Sequence, residues 1–243
     1  MIPKVNLKRT AQLVVVVLCA VAVKLYYSTA SVNQLRWILA PTTALVELVS
    51  GSSFEFESYA GYMSSDRTFV IAASCAGVNF LITAFLMLSL RKLWGDQSQD
   101  TVWRFIPCAA LCAYLATLIA NTVRISTALQ LRGINHEAGW LSPNQLHRFE
   151  GIFIYFGFLL LLFMVSEKIV SKNRSSSEKA SGLFQLLCCP LLIYYATTLG
   201  IPLANGAYRQ GTDFWEHSLF VLLTPLLLIL PLATFRLYRD WRV

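Results

Sequence analysis

The sequence predicts an all-α polytopic membrane protein, with about six transmembrane helices, an interfacial helix and a short extracytoplasmic β-hairpin. Three observations carry this expectation. Of the 243 residues, 56% are hydrophobic and only 14% are charged, far from the balance of a soluble domain. The apolar residues gather in runs that approach the length needed to cross a bilayer core of roughly 30 Å. The lysines and arginines sit in short tracts between those runs, where orientation signals are found. A net charge of +7 could suit nucleic acid, but that reading needs a basic stripe on a soluble face. No nucleic-acid partner is expected.

Taken in order, Lys4, Lys8 and Arg9 precede an apolar run over 11–27 that is interrupted only by Gln12 and Lys24. Lys24, beside Tyr26 and Tyr27, is placed to snorkel to the far interface. No small-residue cleavage site follows convincingly, so the run is expected to be a retained span rather than a removed signal peptide. Over 28–50, Leu35, Ile38, Leu39, Leu45, Leu48 and Val49 recur at helical spacing, while Asn33, Gln34, Arg36 and Glu47 interleave and Pro41 interrupts. That pattern predicts a kinked helix in, or dipping into, the outer interface. A full span here would invert all later topology. Phe54-Glu55-Phe56-Glu57 alternates with period two, Ser64-Ser65-Asp66-Arg67 is turn chemistry, and 68–72 is again strand-like, which predicts a hairpin leading into Cys75.

Further spans are expected over 76–90, stopped by Arg91-Lys92, then over 105–123 and 151–165. The stretch 125–150, with Arg132, His136, Glu137, Pro143 and His147, is polar enough to predict an outer loop. A basic, serine-rich linker over 167–182 precedes two more spans, over 183–199 and 214–233, and a tail with Arg236, Arg239 and Arg242. The implied division is a catalytic membrane core over 1–166, the linker, and a two-helix membrane segment over 183–243. With this count every basic tract falls on one side. The chain is expected in the cytoplasmic (inner) membrane, both termini cytoplasmic, with Cys75, Arg124 and His147 on the extracytoplasmic face.

Five of the six cysteines, Cys19, Cys108, Cys112, Cys188 and Cys189, lie inside apolar runs, where a thiol behaves as a small hydrophobe. Cys108 and Cys112 are one helical turn apart, but no His, Asp or Glu accompanies them, so neither a metal nor a cofactor is expected. Cys75 alone stands at a boundary.

A thiol attacks as its thiolate, which a neighbouring cation or imidazole favours. Arg124 can supply positive charge and stabilise an oxyanion; His147 can take the thiol proton and return it to a leaving amine. Helical spacing adds supporting groups: Asn79 four residues after Cys75, Asn121 three before Arg124, and Glu150 three after His147, where it could hold one imidazole tautomer. Each residue also has a plainer reading. A lone cysteine at a helix end is more often packing, an interfacial arginine an anchor, and a loop histidine ordinary, as His136 and His217 are taken to be. Convergence of three such groups on one face is what favours an acyl-transfer site.

Ser74-Cys75-Ala76-Gly77-Val78-Asn79, Asn121-Thr122-Val123-Arg124, and His147 followed by Glu150-Gly151-Ile152-Phe153-Ile154-Tyr155 resemble the ordered C-[SA]-G, N-x-x-R and H-x-x-x-G motifs of the exosortase/archaeosortase family. Leu39-Ala40-Pro41-Thr42 and Gly61-Tyr62 are also similar to exosortases, and the suggested subfamily is the K-type. The resemblance covers roughly residues 36–156. It implies a membrane cysteine protease/transpeptidase with Cys75, Arg124 and His147 as the catalytic set. The implied substrates are membrane-tethered proteins with a C-terminal helix and basic tail, and the acceptor a lipid or another amine. The rival reading is a non-enzymatic membrane protein, either a small transporter or an envelope or exopolysaccharide assembly factor. Transporters usually carry ionisable groups or broken helices at mid-membrane, whereas the polar groups here gather at one face.

Overall fold

Helices form on the apolar runs and then outlast them. The computed structural model describes residues 7–95, 99–132, 142–171, 183–206, 209 and 211–241. Its helices are α1 (Leu7–Thr29), α2 (Arg36–Ser50), α3 (Val78–Gly95), α4 (Gln99–Arg132), α5 (Pro143–Ser171), α6 (Leu183–Tyr195), α7 (Ile201–Ala204) and α8 (Thr212–Trp241). Among the described residues, five stretches are long and apolar enough to cross a membrane: Leu7–Thr29, Ala73–Leu93, Arg104–Leu131, Gln145–Ile169 and Phe214–Thr234. A sixth apolar stretch, Cys188–Ala204, is shorter. It includes a π-helical turn over Ala196–Gly200. The chain packs as two compact units, Met1–Ser126 and Thr127–Val243, a division by contact that differs from the composition-based boundaries at 166 and 182.

In the first unit α1 packs along α3. Lys24, near the end of α1, donates from Nζ to Asn79 Oδ1 at the start of α3 (2.7 Å), and the Tyr27 hydroxyl donates to the Ala73 carbonyl just before α3 (3.4 Å). The two helices are therefore antiparallel, and residues 30–72 leave and return at the same end of the pair. Helix α2 belongs to that excursion. Its 15 residues reach only about 22 Å, short of a bilayer core. Ile38, Leu39, Thr42, Thr43 and Val46 make its buried face at three- and four-residue spacing, while Leu48 and Val49 stay exposed. The helix ends at Gly51, whose left-handed backbone (φ 70°) returns its N–H to the Glu47 carbonyl.

Glu47 also accepts the Phe54 N–H at Oε1, 2.7 Å, which ties α2 to the strands that follow. These form a three-stranded antiparallel sheet, β1 (Phe54–Glu57), β2 (Gly61–Ser64) and β3 (Val70–Ile71). Phe54 faces Ser64, Glu57 faces Gly61, and Met63 faces Val70. The third strand extends the expected hairpin, although only Val70 and Ile71 of the strand-like 68–72 stretch pair. Gly61 is obligatory: its φ is +122°, and a Cβ there would strike the Ile71 carbonyl oxygen. The Arg36 guanidinium lies over the Phe56 ring at 4.5 Å and holds the base of α2 to the sheet.

In the second unit α5 packs on α8, and α6 packs on both. Phe156 meets Tyr194 edge-on at 5.3 Å, and the Tyr195 hydroxyl donates to the Leu222 carbonyl at 2.7 Å. The stretch 125–150, expected as an outer loop, is helical over 125–132 and 143–150. Helix α4 runs through Arg132, with Ile125 and Ser126 buried, because polar residues exclude a segment from lipid without excluding it from a helix. Helix α5 starts at Pro143, where the fixed φ of proline suits a first helical position. Ser142 and Gln145 close a capping box: the Gln145 N–H donates to Ser142 Oγ (3.3 Å), and the Ser142 N–H donates to Gln145 Oε1 (3.0 Å). Residues 133–141, with His136 and Glu137, lie outside the described residues, as do 172–182 of the linker.

Candidate active site

Cys75 sits on a 3-10 turn, Ala73–Ala76, between β3 and α3. Its own N–H donates to the Ala72 carbonyl at 2.9 Å, and α2 and β3 pack on the turn. Gly77 follows in the left-handed region, φ +69°, and redirects the chain into α3. The same glycine lets α4 come close: a Cβ there would lie 3.2 Å from Asn121 Cγ and 3.2 Å from Thr117 Cγ2.

Asn121 uses that proximity. Fully buried, it donates from Nδ2 to the Cys75 carbonyl oxygen at 2.6 Å. A buried amide bonded to a carbonyl of the turn fixes the turn, since a buried amide left unpaired would cost about 1–3 kcal/mol. One helical turn on, Arg124 is half-buried on the same helix. The Tyr27 phenol of α1 lies within electrostatic range of both the Cys75 thiol and the Arg124 guanidinium. The first unit thus gathers Cys75, Asn121, Arg124 and Tyr27 around one turn. Arg124 stands inside α4 rather than at its end, because the helix continues to Arg132.

Asn79 departs from its expected position. The four-residue spacing from Cys75 implied a shared helical face, but Gly77 breaks the helix between them. Asn79 is instead exposed and bonded to Lys24. Lys24 and Tyr27, three residues apart on α1, were legible only as interfacial anchors; their shared face was the available signal, and their partners are tertiary.

His147 and Glu150 belong to the second unit, on the opening turns of α5. His147 Nδ1 lies 3.4 Å from Glu150 Oε2, with Glu150 only 6% exposed and the imidazole about half exposed. The approach is electrostatic and lacks hydrogen-bond geometry; among the described residues neither buried Glu150 oxygen accepts a hydrogen bond. Gln145 and Arg148 turn the other way, toward Glu216 of α8, with Gln145 Nε2 donating to Glu216 Oε1 at 2.9 Å and Arg148 Nη1 4.0 Å from Glu216 Oε2. The capping box that starts α5, a Ser-x-x-Gln signal in the sequence, is what puts His147 on a helix rather than in a loop.

Among the described residues no group of three or more His, Cys, Asp or Glu side chains could hold a metal ion. No family model, curated protein or solved structure matches this chain.

Proposed function

We propose that the chain is a membrane cysteine protease/transpeptidase that resembles the exosortases and removes C-terminal sorting signals from exported proteins. The observation that carries this reading is the Asn121 bond to the Cys75 carbonyl, with Arg124 one turn further along α4. It ties the short motifs around Cys75 and Arg124, far apart in sequence, to one turn of the chain. In this reading the apolar stretch over 183–204 is a sixth span, α2 lies in the outer interface, and the sheet and Cys75 face the extracytoplasmic side of the inner membrane. The basic tracts remain cytoplasmic.

The chemistry follows from the residue types. The Cys75 sulfur, its proton passed to His147, attacks the scissile carbonyl and forms a C–S bond. Arg124 and the positive end of the α3 macrodipole stabilise the oxyanion of the tetrahedral intermediate. The C–N bond then breaks, and the leaving amine takes the proton from the imidazolium. An amine or lipid acceptor, or water, attacks the thioester and restores the thiol. A substrate held in the bilayer by its own C-terminal helix meets the enzyme at high effective concentration, which offsets weak recognition of a short peptide motif.

One observation favours a second reading. A buried carboxylate beside an imidazole on an apolar helix, as in Glu150 and His147, is also what proton-coupled transporters carry. Peptide mapping of the C-termini of exported proteins in the native host separates the two. With the wild-type chain, a set of proteins should lose a helix and basic tail, and with Cys75→Ala that loss should stop while the variant stays in the membrane. Unchanged C-termini in both strains, with such proteins expressed, would leave the transporter or assembly reading in its place.

A further inference from the structure

Helix α1 does more at this turn than anchor the chain in lipid. Its last turns place two polar side chains, Lys24 and Tyr27, on the residues that flank Cys75. The ammonium of Lys24 donates to Asn79 Oδ1 on the α3 side of the thiol (2.7 Å), and the Tyr27 hydroxyl donates to the Ala73 carbonyl on the β3 side (3.4 Å). The two are also in contact with each other, Lys24 Nζ lying 5.7 Å from the Tyr27 ring centroid. Apolar packing along α1 and α3 already secures the helix pair, and these polar bonds at its end are additional to it.

We infer that Tyr27, supported by Lys24, is a positioning residue of the Cys75 site, holding the thiol-bearing turn at its Ala73 carbonyl as Asn121 holds it at the Cys75 carbonyl. The inference takes Cys75 as the nucleophile of the proposed reaction. Two side chains then fix the four-residue turn, and a third fixes the helix that follows it. Asn121 holds the Cys75 carbonyl, Tyr27 the Ala73 carbonyl, and Lys24 the first turn of α3 through Asn79. With its carbonyls so engaged the turn has little freedom to rotate, and the thiol keeps one direction of approach. Tyr27 lies near both the thiol and the Arg124 guanidinium, and its hydroxyl is the group that binds the turn.

The test compares Tyr27→Phe with Tyr27→Leu in the full-length purified chain. The rate of Cys75 alkylation by iodoacetamide is read by quantitative peptide mass mapping, and C-terminal processing is read in the host. A packing role needs only the ring, so it predicts wild-type behaviour for Phe and loss for Leu. The positioning role predicts that Phe loses about tenfold in alkylation rate, close to the loss in Leu, at unchanged membrane level and melting temperature. Lys24→Met should slow alkylation and Lys24→Arg should restore it. Wild-type alkylation in Tyr27→Phe would overturn the inference whatever processing does. Slow alkylation in Tyr27→Phe, combined with normal processing in Cys75→Ala, would keep the positioning role and remove the protease reading.

Discussion

The side-chain amide of Asn121 donates to the backbone carbonyl of Cys75 at 2.6 Å from a fully buried position, joining the middle of α4 to the turn that carries the thiol. Asn121→Leu keeps the volume and removes the donor. It should cost about 1–3 kcal/mol, because the carbonyl is left without its partner. Asn121→Asp should be worse, since it sets an acceptor against an acceptor. Thermal denaturation of the purified variants in detergent checks the order Asn, Leu, Asp, and a wild-type melting temperature in Asn121→Leu would mean the bond does not hold the turn.

Gly77→Ala is expected to destabilise by about 1–2 kcal/mol from its left-handed backbone alone. The added methyl meets Asn121 and Thr117 at 3.2 Å, so processing should fall with stability. Pairing it with Thr117→Ser, which removes one of the two contacts, should recover part of the loss.

Gly61→Ala should be the more damaging glycine substitution. The group in the way at Gly61 is the Ile71 backbone oxygen, which cannot swing aside as a side chain can. By contrast, Glu57→Gln should cost less, because the amide oxygen can still accept from Arg67 Nη2, which Glu57 binds at 3.0 Å and whose side chain is 71% exposed. Expression level and melting temperature of the two variants give the comparison.

Ser142→Ala removes one half of the capping box and should cost about 1 kcal/mol. The effect is local. Hydrogen exchange should rise at the amides of 144–147, the turns that carry His147, and remain unchanged in α8.

Glu150→Leu should separate stability from function. Both Glu150 oxygens are buried and, among the described residues, accept no hydrogen bond, so an isosteric apolar group should hold or raise the melting temperature. Processing should nonetheless fall, because His147 loses the carboxylate 3.4 Å from its Nδ1. A drop in both quantities would instead make Glu150 a structural residue.

Hydropathy located the apolar core of each of the five long helices, because burying apolar groups is what both lipid and a protein interior reward. It was blind where a helix outlasts its apolar run. Ile125 to Arg132 and Pro143 to Glu150 are helical, yet their polarity reads as loop. Local chemistry at Ser142, Pro143 and Gln145 does mark the second of these, through capping rather than hydrophobicity. Spacing paired Asn121 with Arg124 and His147 with Glu150, since each pair shares one uninterrupted helix. It failed for Cys75 and Asn79, where a single glycine resets the phase. The partners of Lys24 and Tyr27 lie 55 and 46 residues away; no local pattern encodes a contact of that range.

The Lys24 bond to Asn79 and the Tyr27 bond to Ala73 also settle how many independent questions of sidedness the first unit poses. Because the excursion between α1 and α3 begins and ends at one end of a single antiparallel pair, the proposed topology puts α2, the sheet and Cys75 on one side together. Tyr59, 79% exposed in the turn between β1 and β2, offers a place for one reporter. A protease site or epitope inserted there would report in a single experiment on which side of the bilayer the thiol is served, and changes in the length of that loop should leave the orientation of every later helix untouched.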